Sequence, residues 1–220
     1  MDYTFHWYPA FKLLPKMLVG SITTIEIAFL SILFGIILGA ALALAKNSNN
    51  KLLSLFASSW IEVARNTPAL YQIYMAYFGL GSFGIYVGSF GALLIGITFN
   101  NAGYLAETFR GGLRAIPATQ MKTARSLGMN YFQAFIYIIF PQLLKTVFHS
   151  VTNQTVWAIL MTSLGVIVGM NTDLMGVTNE LNALSFRTFE YFALAAVLYY
   201  LITKLFLGIA HLLNIKLFRY

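Results

Sequence analysis

The residues of this chain that could carry enzymatic chemistry are not spaced as they are in known catalytic or metal-binding motifs. Its three histidines, His6, His149 and His211, lie far from one another, so no two of them have the helical spacing of a metal-ligand pair. The sequence contains no G-x-x-x-x-G-K-[ST] phosphate-binding loop, no nucleophile-elbow motif and no cysteine. We therefore expect no catalytic residues, no metal site and no cofactor in this chain, and any ATP and Mg²⁺ would act in a partner subunit.

The most informative polar feature is a basic segment, residues 110–130, inside an otherwise apolar sequence. Pro117 suits the first position of a helix and Gly128 suits a left-handed helix cap. Apolar residues at three-residue spacing predict one apolar face on that helix: Ala118, Met121, Ala124 and Leu127. The segment is longer than a turn between two spans requires, so we expect this helix to dock on a partner.

The composition predicts an integral membrane protein. Of the 220 residues 59% are hydrophobic and only 10% charged, against about 25% charged in soluble domains, and the mean hydropathy is +0.73. Long apolar runs without strand alternation favour helices over a barrel, so lipid is the expected surrounding. The net charge of +7 comes from basic residues scattered at the ends of the apolar runs, which does not indicate nucleic-acid binding.

These features predict an all-α membrane fold in which residues 1–220 form a single domain with about five spans. The expected spans are residues 18–45, 52–80, 85–109, 131–170 and 191–213. The fourth is too long for one straight crossing. Pro141 and the polar run at 152–155 predict that it is kinked or broken.

The distribution of charge predicts the orientation of the spans. With five spans, basic residues concentrate on one side, which should be cytoplasmic: Lys46, Lys51, Arg110, Arg114, Lys122, Arg125, Lys216 and Arg219. The N-terminus is then outside and the C-terminus cytoplasmic. The start of the chain has Asp2 and no basic stretch, so no cleavable signal peptide is expected.

Ionisable residues within the expected spans each need a reason, because charge is costly in lipid. Glu62 with Arg65, and Glu107 with Arg110, have the three-residue spacing of an ion pair on one helix face, and Lys204 can extend to the interface. A role in transport is the alternative for these residues.

Several motifs together resemble one family, the permease subunits of ATP-binding-cassette (ABC) importers, and within it the polar amino acid uptake, or histidine/glutamine, permeases. They are residues 65–72 (RNTPALYQ), residues 102–112 (AGYLAETFRGG), Ile116-Pro117 with Gln120, Ala124, Leu127 and Gly128, then Pro141-Gln142 and Asn153. The order and spacing of these motifs match the family across most of the chain.

The resemblance implies a type I importer fold and a set of partners. The 110–130 loop would be the coupling helix that transmits closure of the ATPase subunits to the membrane helices. Its coupling residues would be Pro117, Gln120, Met121, Lys122, Ala124, Leu127 and Gly128. The expected partners are a second permease subunit, identical or related, an ABC ATPase dimer and an extracytoplasmic amino acid binding protein, in a bacterial inner membrane.

Transport in this family would proceed by alternating access. Polar ligand groups are expected where helices break, and the candidate pathway residues are Asn100, Asn101, Asn153, Thr162 and Ser163. The same residue types also bridge helices without touching a substrate, so a structural role is the alternative.

Two positions depart from the family pattern. Where the coupling loop usually reads Gln-x-Glu-Ala-Ala, this chain has Lys122 in the position of the glutamate, which reverses the charge and favours a heterodimer. Where many members have a lysine–acid pair before Thr-Ser-Leu, this chain has Leu160 and Met161. Without an acidic residue assigned to the cavity, acidic amino acids and their amides are favoured over cationic substrates.

Two other classes of protein compete with this interpretation. An autonomous secondary transporter or channel should show an internal inverted repeat or a charged relay through the midplane, and the sequence shows neither. A membrane anchor or assembly factor would lack neighbouring genes for an ATPase and a binding protein.

Overall fold

The computed structural model describes residues 3–218, and within that range the chain is helical with no β-strand. Asp2 and Arg219, which enter the targeting and charge predictions, lie outside the described residues. The α-helices are α1 (Trp7–Lys12), α2 (Leu14–Lys46), α3 (Lys51–Asn66), α4 (Ala69–Tyr74), α5 (Leu80–Ser82), α6 (Ser89–Ala115), α7 (Ala118–Ser126), α8 (Tyr131–Ala134), α9 (Phe140–Met161), α10 (Leu174–Ser185) and α11 (Thr188–Leu217). Two π-helical segments, Met75–Gly79 and Phe135–Ile139, and one 3₁₀ segment, Thr162–Val168, join some of them.

Three of the described helical stretches are long and apolar enough to cross a membrane by themselves: Leu14–Lys46, Tyr131–Val168 and Thr188–Leu217. Helix α2 alone has 33 residues. At 1.5 Å per residue this is about 50 Å, more than the roughly 30 Å of a bilayer core. The other two predicted spans correspond to α3–α5 and to α6, which carry more polar residues. The count of five spans therefore stays a prediction.

The fourth predicted span is irregular at one of the two expected places. Helix α9 runs without interruption through the polar run at 152–155. One departure from α-helix lies at Phe135–Ile139, close to Pro141 as predicted, and a second lies at Thr162–Val168. Pro141 has no N–H and leaves a carbonyl one turn before it without a helical partner, which accounts for the π segment. In the 3₁₀ segment, the Thr162 and Ser163 hydroxyls donate to carbonyls three residues earlier.

Helices α2 and α6 form the centre of the fold. They approach closely at two glycines: a Cβ on Gly35 would lie 2.8 Å from Asn101 Cβ, and one on Gly39 would lie 2.9 Å from Leu105 Cβ. The small-residue face at Gly35 and Gly39 is therefore a helix-packing surface. This contact sets the position of Asn101 along the axis of α2.

The end of α2 near Leu14 packs against α10, a helix that lies inside the predicted 171–190 connection and that sequence reasoning missed. The Leu174 N–H donates to Thr24 Oγ1 at 3.1 Å. Fully buried Asp173 caps the start of α10 by accepting from the N–H groups of Met175 and Gly176, both at 3.1 Å. Burial raises the pKa of the Asp173 carboxyl, and the cap is the sequence signal that could have located this helix.

An ion-pair cluster joins the opposite end of α2 to α6. Glu107 accepts from Lys46 Nζ at 2.7 Å and from Arg110 Nη2 at 2.6 Å. The predicted pair of Glu107 and Arg110 is therefore confirmed, with Lys46 as a third member. Glu62 and Arg65, by contrast, form no ion pair within residues 3–218, because the Arg65 guanidinium lies over the Tyr104 ring, 5.6 Å from its centre.

Replacing Glu107 with glutamine should lower the free energy of unfolding by about 1–2 kcal/mol, since two partly buried cations lose their counter-charge. The Glu107 side chain is 20% exposed, whereas the Lys16–Glu180 pair between α2 and α10 is nearly half exposed. Glu180→Gln is thus the matched control, with an expected loss below about 1 kcal/mol. Thermal unfolding in detergent measures both, and equal shifts would contradict the structural role given to Glu107.

Candidate functional site

The basic segment forms a separate short helix, α7, between the end of α6 and the start of α8. Ile116 and Pro117 have extended ψ values of 125° and 128°, which end α6 and turn the chain before α7 begins at Ala118. Pro117 is thus the residue that caps α7 rather than its first helical residue, a one-position shift from the prediction. Helix α7 packs on α8 and on the π segment that follows it.

A side-chain hydrogen bond connects α7 to the long helix α9. Gln142 Nε2 donates to Gln120 Oε1 and also to the Ile138 carbonyl oxygen, the latter at 2.7 Å. Gln142 lies one residue after Pro141, so it is at the irregular start of the membrane helix. This hydrogen bond joins α7 to the start of α9.

The other end of α7 is held by two local motifs. Gly128 has φ +89°, as its position predicted, and the Met129 N–H donates to the Ala124 carbonyl at 3.2 Å. Asn130 and Gln133 then form a reciprocal capping box, with hydrogen bonds of 2.9 and 2.8 Å, that starts α8. These hydrogen bonds define the α7–α8 corner.

The apolar side of α7 is divided between the chain itself and the outside. Ala124 is 5% exposed and Met121 is half-buried, whereas Ala118 is exposed and Leu127 is 77% exposed. The first two fasten α7 to its own chain, and the outer two remain available to another molecule. Lys122 and Arg125 are also exposed, and neither forms an ion pair within the described part of the chain.

A polar cavity of about 300 Å³ lies between α6, α9 and the corner that joins α3 to α4. It is lined by Thr67, Pro68, Ala69, Ile97, Asn100, Asn101, Tyr104, Gln154, Trp157 and Met161. Its volume is of the order of an amino acid, at the small end of ordinary ligand sites. No acidic or basic side chain lines it.

The α3–α4 corner is formed by Thr67 and Pro68, which have extended backbone and interrupt the helix. Such an interruption leaves backbone carbonyls without helical partners, and in a membrane these must be satisfied by side chains. Asn100 Nδ2 donates to the Ala64 carbonyl at 3.1 Å, and Gln72 Nε2 donates to the same carbonyl at 2.9 Å. Asn100 thus supports the corner that forms one wall of the cavity.

Asn101 is a buried polar residue of the cavity with an unpaired donor. It is 2% exposed, and its Oδ1 accepts from Gln154 Nε2 at 2.8 Å. Its Nδ2 is buried and has no partner within the described residues. A buried donor without an acceptor is unfavourable, which makes Asn101 Nδ2 a candidate donor to an oxygen acceptor such as a carboxylate or an amide.

The other three pathway candidates lie elsewhere. Asn153 is exposed on α9 and does not line the cavity, while its neighbour Gln154 does. Thr162 is fully buried and donates to the Ile159 carbonyl at 2.8 Å. Ser163 faces a separate depression beside Tyr199 and Tyr200.

Sequence reasoning missed Gln154, Tyr104 and Thr67 as cavity residues. Thr67 and Tyr104 stand within the two motifs quoted for the family resemblance, so the motifs contained the signal without assigning it to the cavity. The choice of Gln154 over Asn153 depends on the rotation of α9, which one sequence does not specify.

Comparison with known proteins places this arrangement in a family. Residues 13–219 match the family described as the binding-protein-dependent transport system inner membrane component. The chain belongs to this family. Members of this family are described as inner membrane components, which agrees with the long apolar helices of this chain.

Relatives of similar length match nearly the whole chain. A putative glutamine transport system permease, GlnP, of Rickettsia bellii is 32% identical over 213 residues, covering 94% of this chain and 96% of its own. A probable amino-acid ABC transporter permease, PatM, of Vibrio harveyi is 32% identical over 192 residues, covering 86% of each.

Solved structures agree on the architecture. The crystal structure of an amino acid ABC transporter with histidines matches 97% of this chain and 100% of its own, with a TM-score of 0.88 and 31% identity. The inward-facing methionine transporter MetNI matches 94% of this chain and 98% of its own, with a TM-score of 0.77 and 17% identity, and thus supports the fold alone. The fold is therefore that of a type I ABC importer permease, and the autonomous transporter is not favoured.

Proposed function

We propose that this chain is the permease subunit of an ATP-driven amino acid importer and that α7 is its coupling helix. The observation that carries the proposal is α7 itself, which presents Lys122, Arg125 and Leu127 outward while Gln120 connects it to the membrane helix α9. A helix that is exposed on one side and fixed to a span on the other can convert movement of a docked subunit into movement of that span.

The partners of the proposed complex are those that the family resemblance implies. An ABC ATPase dimer binds ATP and Mg²⁺ and receives α7, a second permease subunit completes the pathway, and an extracytoplasmic binding protein delivers the amino acid. Because Lys122 is exposed where relatives of the family usually have glutamate, the ATPase groove that receives this chain should be acidic, or the second permease subunit should be a different chain.

The substrate pathway passes through the polar cavity in this proposal. The unpaired Nδ2 of Asn101 would donate to a carboxylate oxygen of the amino acid, and the uncharged lining suits a neutral or amide side chain better than a cationic one. This supports the glutamine class of substrate that some relatives carry in their names. Asn153, Thr162 and Ser163 are kept as pathway candidates only for states in which the helices have moved.

The proposed orientation puts α7 in the cytoplasm and the N-terminus outside. The cluster of Lys46, Glu107 and Arg110 lies near the same end of the helices as α7, as the positive-inside rule requires. Since the chain has no cysteine, Lys122→Cys should react with a membrane-impermeant maleimide only after the membrane is opened. Labelling of Lys122→Cys in intact cells would contradict the proposed orientation and place α7 outside.

Co-purification of the ATPase tests the coupling role. The tagged chain, purified in mild detergent, should retain an ABC ATPase. The double variant Leu127→Asp with Arg125→Glu should lose it. Both side chains are exposed, so we expect their replacement to leave the fold intact. Asn47→Asp, just after the end of α2, is a control for the single negative charge that Leu127→Asp adds and should retain the ATPase. Equal retention by all three chains would exclude α7 as the docking site. Ala124→Asp would be a poorer test, since Ala124 is buried against the chain itself.

A further inference from the structure

Residues 3–12, which precede α2, are hydrogen-bonded to a buried carboxylate at the far end of the molecule from α7. Glu190, in the first turn of α11, has no exposed surface. Its Oε1 accepts from the His6 backbone N–H at 2.8 Å, and its Oε2 accepts from the Tyr3 hydroxyl. Arg187 Nη1 approaches the same carboxylate at 3.5 Å.

This carboxylate has no part in α7 or in the polar cavity. A buried carboxylate is unfavourable unless it is paired and hydrogen-bonded. Glu190 meets this condition through the Tyr3 hydroxyl and the His6 N–H, which would lose their partner if Glu190 were replaced. The hydrogen bond to Glu190 raises the pKa of Tyr3, in agreement with a hydroxyl that donates to the carboxylate. Glu190 therefore holds residues 3–12, which we name the N-terminal strap, against α11.

The strap presents aromatic rings to the outside. Tyr3 packs edge-on against Phe5 and Phe189, with ring centres 5.0 Å apart in both pairs, and Phe5 stacks on Trp7 at 6.2 Å. Every strap ring and Phe189 is exposed to a large extent. On the inner side, fully buried Ala10 packs into the core cluster of α2, α10 and α11.

The position of the strap in the molecule identifies what covers these rings. The strap precedes α2 and lies on the first turn of α11, and both helices are apolar enough to cross a membrane. The exposed Lys16–Glu180 ion pair marks the level at which the apolar run of α2 gives way to water, four residues after α1 ends. Tryptophan and tyrosine concentrate at this level in membrane proteins, because an aromatic ring with a polar edge suits the headgroup region.

We propose that the N-terminal strap is a lipid-binding surface that lies in the headgroup layer of the leaflet opposite α7, and that Glu190 is the residue that holds it there. The ligand is the carbonyl and headgroup region of a phospholipid layer. Basic Lys12, exposed at the end of α1, is placed to meet lipid phosphates.

Fluorescence of Trp7 tests the proposal in the full chain. Trp60→Phe with Trp157→Phe leaves Trp7 as the sole tryptophan, and the protein is reconstituted into phosphatidylcholine–phosphatidylglycerol nanodiscs. We expect strong quenching by lipids brominated near the carbonyl end of the acyl chain, weaker quenching by lipids brominated near the chain terminus, and weak quenching by aqueous iodide. Dominant iodide quenching would overturn the proposal by placing the strap in water, and insensitivity to all three quenchers would overturn it by showing that protein covers the rings.

The role of Glu190 is tested by two variants that change the anchor differently. Tyr3→Phe removes one donor and keeps the ring, and Glu190→Gln removes the charge and one acceptor. Both should shift Trp7 quenching from shallow brominated lipid towards iodide. Tyr86→Phe, at an exposed tyrosine outside the strap, should leave it unchanged. Quenching by Glu190→Gln equal to that of the parent chain would exclude Glu190 as the anchor. If Glu190→Gln does not fold, Tyr3→Phe tests the anchor, and quenching equal to that of the parent would exclude the Tyr3–Glu190 hydrogen bond as what holds the strap.

Discussion

Replacing Gly96 with alanine should lower the midpoint temperature of thermal unfolding and abolish most of the uptake activity. Gly96 of α6 packs directly on α4, and an added Cβ would lie 2.6 Å from Ile73 Cγ1 and 2.8 Å from both the Cα and the N atoms of Ile73. Two of these three contacts are with backbone, so a change of rotamer cannot relieve them and the helices must separate.

The expected size of this effect is a balance of two contributions. Alanine in place of glycine favours a helix by about 1 kcal/mol, while overpacking costs about 1–3 kcal/mol and more where backbone must move. The net result should be destabilising. Separation of α4 from α6 also displaces Ala69 and Pro68, which line the cavity, so uptake should fall even in the fraction that folds.

A second glycine of the same helix provides the matched control. A Cβ on Gly111 would have no neighbour within 4 Å, so Gly111→Ala should be neutral or stabilising by up to about 1 kcal/mol. Differential scanning fluorimetry in detergent and uptake by whole cells measure the two quantities. If Gly96→Ala and Gly111→Ala behave alike, the close contact of α4 and α6 is not what shapes the cavity.

Asn101→Leu should reduce amino acid uptake by about tenfold or more while the ATPase still co-purifies. Leucine is larger than asparagine, but it has the same branching and number of side-chain heavy atoms, and it keeps the Cβ that contacts Gly35 of α2. The change removes the acceptor of Gln154 Nε2 and the unpaired Nδ2 donor. Losing hydrogen bonds in a buried site costs about 1–3 kcal/mol, and each 1.4 kcal/mol is a factor of ten in binding.

Asn153→Leu is the control for this prediction, because it makes the same substitution on α9 at a side chain that lies outside the cavity. Uptake of radiolabelled glutamine, together with a panel of other amino acids, should be unchanged in Asn153→Leu. Equal uptake by the Asn101→Leu chain and the parent would exclude the cavity as the substrate pathway. An equal loss in both variants would point to a general defect of α9 and α6 packing.

The sequence was most informative where local rules suffice. The helix at 118–126 followed from the spacing of its apolar residues and from Gly128, whose φ of +89° only glycine adopts readily. The pair of Glu107 and Arg110 followed from i, i+3 spacing. Hydropathy located the long apolar helices α2 and α11 within a few residues of their ends.

Only the tertiary structure decided which polar residues meet. The sequence could not distinguish Asn153 from Gln154, because adjacent residues on a helix differ by about 100° in direction and the rotation of α9 is set by its packing on α6. It placed Ala124 on the apolar face of α7 but could not show that this side chain is buried in the fold. It also could not bring Glu190 to Tyr3 and His6, since contacts across more than 180 residues depend on how the helices pack and leave no local pattern in the chain.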